Sequence, residues 1–440
     1  MTLGTPDSPS VKLMNQFKLY CCFSIFFLIN ILSYVDRMLL PAFGTQISAD
    51  LGLSRQEFGF LTGFAFVTVY ALCGPVMGAL ADRFNPARVL TVGIAVWSVM
   101  TALTGKAQSF VSILIPRLFI GAGEATLHPA AIGVFNRLFS PARRATVLSL
   151  FILGGHIGVG LSYWIAGTFG ESVGWRTLFI TLGATGLLFG LVLWFFVGPE
   201  IDSRSLKGDA AVRAQPQLED IFLTMLRALR GSPRLRVAII GFSLVHMLYA
   251  SNQFMQIWLA TERGFGEFEA STLFGSAYLL VAIPSGLLGG FVTDWFTNRF
   301  ATTKALFLCG VYLLTSPALF MLRLADPESI LFDLGLYGAI FLLTFPYGAL
   351  LACVLDEAPL EIQSTSTGFT MFSCNVLVIG GGTWFIGAAA DWLTTQGSGA
   401  PLTTSLLVGD AITLCSVGCF AWLHWDATQR PTFGPQKDAS

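Results

Sequence analysis

Residues Arg117 to His128 read RLFIGAGEATLH and place two opposite charges inside a segment that is otherwise apolar. The segment, from about 110 to 135, is long enough to cross a bilayer as a helix. A mid-membrane arginine costs about 3 kcal/mol on insertion scales, so its presence indicates a function or a partner. Arg117 and Glu124 are close to two helical turns apart, so they share one face with His128, and two glycines between them leave room for a neighbouring helix.

The partners that the sequence offers are Asp36 and Arg37, inside the first apolar segment. Counting residues along the helices places Asp36 and Arg117 at a similar depth, with Glu124 about 10 Å away along the membrane normal. We therefore expect Arg117 to be the nearest cation to Glu124, with Asp36 as a rival carboxylate. Protonation of one carboxylate would send the arginine to the other, which is the behaviour of a switch.

Composition places the chain in a membrane. It has 440 residues, 54% hydrophobic and 12% charged, with a mean hydropathy of +0.69, whereas soluble proteins carry about 25% charged residues. The net charge of −1 gives no reason to expect a nucleic-acid partner. The eight cysteines lie in apolar segments without metal-ligand spacing, so we expect no disulfide, no metal and no cofactor.

Twelve apolar segments are long enough to be membrane helices, which predicts an all-α membrane protein. They begin near residues 19, 58, 89, 110, 145, 178, 237, 271, 305, 331, 365 and 403. Six precede the polar interval 199–236 and six follow it, which predicts six-helix bundles at 1–198 and 237–440. Apolar residues in the interval recur at helical spacing with basic residues behind them, which indicates an amphipathic helix on the membrane surface; a flexible linker is the alternative.

The basic residues predict the orientation. With the N-terminus inside, eighteen of the 25 Lys and Arg residues lie on the inner side and five on the outer side. Such an asymmetry is typical of cytoplasmic loops, so we expect both termini in the cytoplasm and the chain in the inner membrane.

The two halves repeat a short motif. Gly78-x-x-x-Asp82 ends span two and Gly290-x-x-x-Asp294 ends span eight, each with basic residues close behind. Paired halves of this kind are typical of secondary transporters. We expect a cytoplasmic gate, with a purely structural latch as the alternative; its residues are Gly78, Asp82, Arg83, Arg88 and Asp294.

Three stretches resemble the major facilitator superfamily. GALADRFNPARV at 78–89 is similar to its signature between helices two and three, RLFIG at 117–121 to its fourth-helix motif, and GWR at 174–176 to the start of its helix six. Within the superfamily, SYVDR at 33–37 and GEATLHPA at 123–130 resemble the spinster family of lipid transporters. The resemblance implies a fold of two pseudo-symmetric six-helix bundles, lysophospholipid or sphingoid-lipid substrates and proton coupling. It also implies a polar centre of Asp36, Arg37, Arg117 and Glu124.

In the second half of the chain, from about 237 to 355 and again from 365 to 390, we expect the span interiors to carry no Asp, Glu, Lys or Arg. We expect Arg323 to lie in an outer loop and Asp410 to face solvent near the end of span twelve. A cavity with one charged wall and one apolar wall suits an amphiphile with a charged head and a hydrocarbon tail better than a sugar.

These patterns predict a monomeric secondary transporter that moves an amphiphilic, lipid-like substrate across the inner membrane by alternating access with proton coupling. Proton coupling is expected from Asp36, Glu124 and Arg117, and substrate contact from Arg37, Arg117, Glu124, His128, His246 and Asn252. The alternatives for the protein are drug efflux, organic-anion transport and a receptor role. For the individual residues, the alternatives are structural ion pairs and hydrogen-bonded core histidines. No nucleophile elbow and no HExxH motif is present, so an enzyme is not expected.

Overall fold

The computed structural model describes residues 9–197, 218–359 and 362–429, and all regular secondary structure in these ranges is helical. Twelve described helical stretches are long and apolar enough to cross a membrane, which confirms the predicted number, and the chain is a multi-pass membrane protein. The spans are Lys18–Ala42, Arg55–Ala81, Pro86–Thr104, Phe110–Asn136, Thr146–Val173, Trp175–Phe196, Pro233–Asn252, Glu267–Phe300, Lys304–Leu324, Ile330–Glu357, Thr365–Thr395 and Pro401–Gln429. We call the membrane side where span one begins the near side, and the side where it ends the far side.

The described residues form two compact units. The first holds the described chain up to Val197 together with Gln253–Leu279, and the second holds the remainder. The predicted bundle boundaries at 198 and 237 stay a prediction, and residues 198–217 lie outside the described ranges. The helices of the first unit are α1 (Pro9–Ala42), α2 (Gly44–Leu51), α3 (Arg55–Gly59), a π-helical turn (Phe60–Ala65), α4 (Phe66–Arg83), α5 (Pro86–Thr104), α6 (Phe110–Glu124), α7 (Leu127–Leu138), α8 (Pro141–Val173), α9 (Trp175–Val192) and a second π-helical turn (Leu193–Val197).

Glycines set the close packing around span four. A Cβ added to Gly123 would lie 2.8 Å from the carbonyl oxygen of Gly93 in α5. One added to Gly121 would lie 2.8 Å from the carbonyl oxygen of Phe66 in α4. Both distances are far below van der Waals contact, so α6 approaches two neighbours along these glycines. The prediction that they make room for a neighbouring helix is confirmed.

Span four is interrupted directly after Glu124. α6 ends at Glu124 and α7 begins at Leu127. Pro129 has no N–H to donate to the carbonyl of Ala125, so the helical hydrogen-bond ladder cannot continue there. The continuous polar stripe expected from Arg117 to His128 is therefore divided, with His128 in the next helix.

The helices that follow along the chain are α10 (Leu218–Gly231), α11 (Pro233–Val245), α12 (Met247–Asn252), α13 (Met255–Glu262), α14 (Glu267–Phe300), α15 (Lys304–Thr315), α16 (Pro317–Leu324), α17 (Ile330–Thr344), α18 (Tyr347–Glu357), α19 (Gln363–Phe372), a π-helical segment (Ser373–Gly380), α20 (Gly381–Thr395) and α21 (Pro401–Gln429). Of these, α13 and the first residues of α14 belong to the first unit. In the second unit, α21 packs along α11, α15 and α20.

The amphipathic helix predicted in the linker is present as α10. Its Met225 is 2% exposed, and the Met225 sulfur lies 3.7 Å from the hydroxyl of Ser366 in α19. Arg227 and Arg230 are exposed. The helix thus packs on the start of span eleven through one face, and its placement on a membrane surface stays a prediction.

The second unit contains an ion pair that the sequence reasoning missed. Nε of Arg323 lies 2.9 Å from Oδ2 of Asp410, and the two side chains are 2% and 0% exposed. The expectations that Arg323 lies in a loop and that Asp410 faces solvent were wrong. Arg323 belongs to α16, so its side chain reaches inward to α21, and each charge compensates the burial of the other.

Candidate functional site

Glu124 is the acceptor at the centre of the polar cluster in the first unit. Its Oε2 accepts hydrogen bonds from Nη2 of Arg37 at 2.8 Å and from the hydroxyl of Ser33 at 3.0 Å. Glu124 is fully buried, whereas the Arg37 side chain is 16% exposed. Its Oε1 has no hydrogen-bond partner among the described residues. Glu124 is therefore paired with one cation and keeps one free acceptor.

Arg117 does not take the place expected for it. The cation on Glu124 is Arg37, and Nη2 of Arg117 instead donates to the backbone carbonyl of Arg37 at 2.9 Å. That carbonyl is available because its helical donor would be residue 41, which is Pro41 and has no N–H. Nε and Nη1 of Arg117 have no hydrogen-bond partner in the described part of the chain, although the residue is 1% exposed.

Aromatic rings surround the two guanidinium groups. The guanidinium carbon of Arg37 lies 4.8 Å from the ring centroid of Tyr34, 4.7 Å from that of Phe66 and 4.9 Å from that of Tyr70. Arg117 lies 4.7 Å from the same Phe66 ring. Cation–π attraction of about 0.5 to 2 kcal/mol per contact offsets part of the burial of these charges. The Phe66 ring thus contacts the guanidinium groups of both arginines.

Asp36 takes no part in the hydrogen bonds between Arg37 and Glu124. It is 2% exposed, its Oδ2 is hydrogen-bonded to the hydroxyl of Thr101, and its Oδ1 has no hydrogen-bond partner among the described residues. The same hydroxyl lies 2.9 Å from the carbonyl oxygen of Trp97. Thr101 has one hydroxyl hydrogen for two oxygens. A proton on Asp36 would let its carboxyl group donate to the Thr101 oxygen while the Thr101 hydroxyl donates to the Trp97 carbonyl.

His128 joins this cluster through a tyrosine. The hydroxyl of Tyr70, one of the rings around Arg37, lies 3.1 Å from Nδ1 of His128. The imidazole also packs edge-on against Phe151, with the ring centroids 5.6 Å apart. His128 is thus next to the site although it contacts none of the four charged groups directly.

Two other predicted substrate residues, His246 and Asn252, lie in the second unit. Nδ1 of His246 donates to the carbonyl of Phe242 at 2.7 Å. Its ring stacks between Phe242 and Tyr249, at centroid distances of 4.4 and 5.1 Å. Asn252 ends α12. Both stay predicted substrate contacts.

Gly78, Asp82 and Arg83 lie in the last two turns of α4, Arg88 lies in the first turn of α5, and Asp294 lies in the last two turns of α14. A Cβ on Gly78 would be 3.9 Å from Pro129, an ordinary contact, and the side chain of Asp82 lies outside the described residues. Arg83 lies over Phe84 at 5.6 Å and Arg88 over Trp194 at 5.4 Å.

In the second unit, exposed Asp294 lines a cavity of about 690 Å³, and two ion-paired basic side chains, Arg234 and Lys304, line the same cavity. Arg234 bonds Glu357 and Asp426, and Lys304 bonds Asp356 at 2.7 Å. The gating roles of these residues stay a prediction.

Sequence reasoning missed Ser33, Thr101 and Tyr70. Ser33 lies one helical turn before Arg37, so it was detectable as a polar neighbour on the same face. Thr101 and Tyr70 are single polar residues in other apolar spans, and no spacing links them to Asp36 or His128. Only the packing of α4 and α5 against α1 and α7 brings them into the site.

The arrangement offers hydrogen-bond donors to an anion. No group of three or more potential metal ligands occurs among the described residues. With all four charged residues ionised the cluster is neutral, and a proton on Asp36 leaves one positive charge in a buried site. The unsatisfied N–H groups of Arg117 are the donors that an anionic group would use.

Known proteins resemble this chain along most of its length. The sequence profile described as Major Facilitator Superfamily matches residues 25–383. The hexuronate transporter of Bacillus subtilis is 30% identical over 290 residues, which cover 66% of this chain and 68% of that protein. Protein spinster homolog 3 of Danio rerio is 24% identical over 411 residues, covering 90% of this chain and 82% of that protein.

Among solved structures, similarity extends to a bacterial homologue of the human lysosomal transporter spinster, crystallised in an inward-facing and occupied conformation. Its TM-score is 0.75 at 20% sequence identity, and the match covers 92% of this chain and 96% of that one. At this identity the likeness shows the shared fold.

Proposed function

The chain belongs to the Major Facilitator Superfamily, and from this premise we propose that it moves an amphiphile with an anionic or zwitterionic head across the inner membrane, coupled to protons. Membership of the family makes it a transporter and not an enzyme. The substrate class, the coupling ion, a monomeric state and an orientation with both termini in the cytoplasm are parts of the proposal.

The proposal rests on the unsatisfied N–H groups of Arg117. A buried guanidinium with Nε and Nη1 unsatisfied loses part of its hydration without full replacement. The free Nε–H and Nη1–H groups lie on different edges of the guanidinium, and either can donate a charge-assisted hydrogen bond to a carboxylate or phosphate oxygen. The hydrogen bond from Nη2 to the Arg37 carbonyl holds the fork in place before a ligand arrives. Arg117 is therefore the headgroup contact in this proposal.

Proton coupling is assigned first to Asp36. Glu124 keeps Arg37 at 2.8 Å and the Ser33 hydroxyl at 3.0 Å, so the ionised form is well supported. Among the described residues, the hydrogen-bond partner of Asp36 is the Thr101 hydroxyl, and the carboxyl group is buried. A proton on Asp36 would leave the centre positive and ready for an anion. Loss of the proton would restore neutrality and favour release.

Two substrate classes compete. Similarity to protein spinster homolog 3 over 90% of this chain agrees with the spinster resemblance, which implies a lipid-like substrate. Similarity to a hexuronate transporter supports a small organic anion instead, and the same arginine fork would bind its carboxylate. Drug efflux is a weaker alternative because an uncharged drug has no use for the free donors of Arg117.

Transport into proteoliposomes tests these possibilities. Uptake of a labelled lysophospholipid, a sphingoid lipid and a hexuronate would be measured with and without a pH gradient. We expect lysolipid uptake that the gradient accelerates. Uptake of the hexuronate alone would establish the organic-anion alternative, and lysolipid uptake that ignores the gradient would remove proton coupling.

A further inference from the structure

Span one has a break at its far-side end that leaves backbone groups without helical partners. α1 ends at Ala42 and α2 begins at Gly44. The last carbonyls of a helix and its first N–H groups have no partner within the helix. Ala42 is the last residue of α1 and Thr45 the second of α2, and the residue that precedes α2, Phe43, provides no side-chain cap. The Ala42 carbonyl and the Thr45 N–H therefore require hydrogen-bond partners from outside α1 and α2.

Two residues from the second half of the sequence supply them. Oε1 of Gln256 accepts hydrogen bonds from the backbone N–H and from the hydroxyl of Thr45, both at 2.9 Å. The hydroxyl of Ser271 donates to the carbonyl of Ala42 at 2.7 Å. Gln256 is 0% and Ser271 1% exposed. Each backbone group at the break is thus satisfied by a buried side chain.

Gln256 also ties two helices of the second half together. Its Nε2 donates to the backbone carbonyl of Glu267 at 3.2 Å, at the start of α14. The amide therefore connects α2, α13 and α14 at one point, with its oxygen and its nitrogen both engaged.

The surrounding packing leaves no space at this junction. A Cβ on Gly44 would lie 2.6 Å from Ile257, and the rings of Phe58 and Phe254 meet at 5.6 Å. A Cβ on Gly167 in span five would clash with the backbone of Thr272. The segment Gln253–Leu279 accordingly belongs to the same compact unit as spans one to six.

We propose that Gln256 and Ser271 form a clasp that keeps the far side of the transporter closed by capping the break in span one. Opening the far side separates Gln253–Leu279 from span one, and it then exposes the Thr45 N–H and the Ala42 carbonyl to water. Water replaces the lost partners, so the clasp favours the closed state without making the open state inaccessible. The inference is independent of the substrate and of the proton carrier.

Hydrogen–deuterium exchange of the full chain in lipid nanodiscs tests the clasp, because the Thr45 amide is itself one of its donors. Gln256→Leu keeps the volume and removes three hydrogen bonds. We expect about tenfold faster exchange in the peptide covering 43–51, the factor that about 1.4 kcal/mol produces. Ser271→Ala, a milder change, should give a smaller increase in the same peptide.

The near side supplies the readout that distinguishes gating from simple loosening. A shift toward the far-side-open state closes the near side, so exchange should fall in the loop around Phe84 and Asn85. The matched control is Gln253→Leu, since Gln253 is 6% exposed and its hydrogen bond among the described residues goes to the Met38 sulfur, at 3.9 Å. Unchanged near-side exchange in both clasp variants would overturn the proposal, as would an equal effect of the Gln253 control.

Discussion

Replacing Arg117 by lysine separates the charge at this position from its geometry. The lysine keeps a positive charge at the same depth but offers one nitrogen in place of a planar fork. In the structure, Nη2 of Arg117 is used by the Arg37 carbonyl, and Nε and Nη1 are left for a ligand. A lysine ammonium that holds the carbonyl has no second nitrogen to direct at a headgroup.

The magnitude follows from the hydrogen bonds lost. A hydrogen bond to a charged group contributes about 1.5 to 3 kcal/mol. Loss of one such bond, beyond what the ammonium recovers, weakens headgroup binding roughly tenfold to a hundredfold. We therefore expect Arg117→Lys to raise the KM for substrate by about that factor.

The assay compares uptake by proteoliposomes containing the parent protein, Arg117→Lys and Arg323→Lys. Arg323 is the matched control because it is also a buried arginine, 2% exposed, but lies in the second unit and is paired with Asp410. We expect the Arg323→Lys variant to lose thermal stability and to keep the KM of the parent protein. An Arg117→Lys protein with a KM within about twofold of the parent would refute the role of the fork and leave only charge at that depth.

Three further outcomes follow from the geometry. Asp36→Asn imitates the protonated acid, so we expect substrate binding to persist while uptake stops responding to a pH gradient; a retained response would move the proton to another group. Arg323→Met leaves Asp410 buried without its cation and should lower the free energy of unfolding by about 3 to 5 kcal/mol, most of it regained when Asp410→Leu is added, as scanning fluorimetry would report. The indole N–H of Trp175 and then the Arg176 guanidinium lower the pKa of Asp50. The resulting stabilisation is present at neutral pH and is lost as the pH falls through the pKa of Asp50. Asp50→Asn should remove this acid dependence and lower the free energy of unfolding by less than about 1 kcal/mol, because the Arg176 and Asp50 side chains are 42% and 44% exposed.

Twelve spans, their first residues to within a few positions and the four charged residues of the site follow from the sequence, because lipid penalises charge and unpaired backbone groups so strongly. A span must be a long apolar helix, and a charge within it must have a reason. Asp36, Arg37, Arg117 and Glu124 were therefore visible as one group before any packing was known. The glycines beside Glu124 were informative for a similar reason, since a missing side chain permits close helix contact.

Which charge pairs with which was decided by tertiary structure alone. Helix periodicity gives the depth and face of a side chain but not the rotation of its neighbour, so it paired Glu124 with Arg117 where the fold pairs it with Arg37. Pro41 shows from the sequence that the Arg37 carbonyl lacks its helical donor, but only packing determines that Arg117 is the group that donates to it. For Asp410 no such local signal exists: its burial depends on Arg323, 87 residues away in sequence. The same holds for Gln256 and Thr45, whose hydrogen bonds join halves of the chain that only folding brings together.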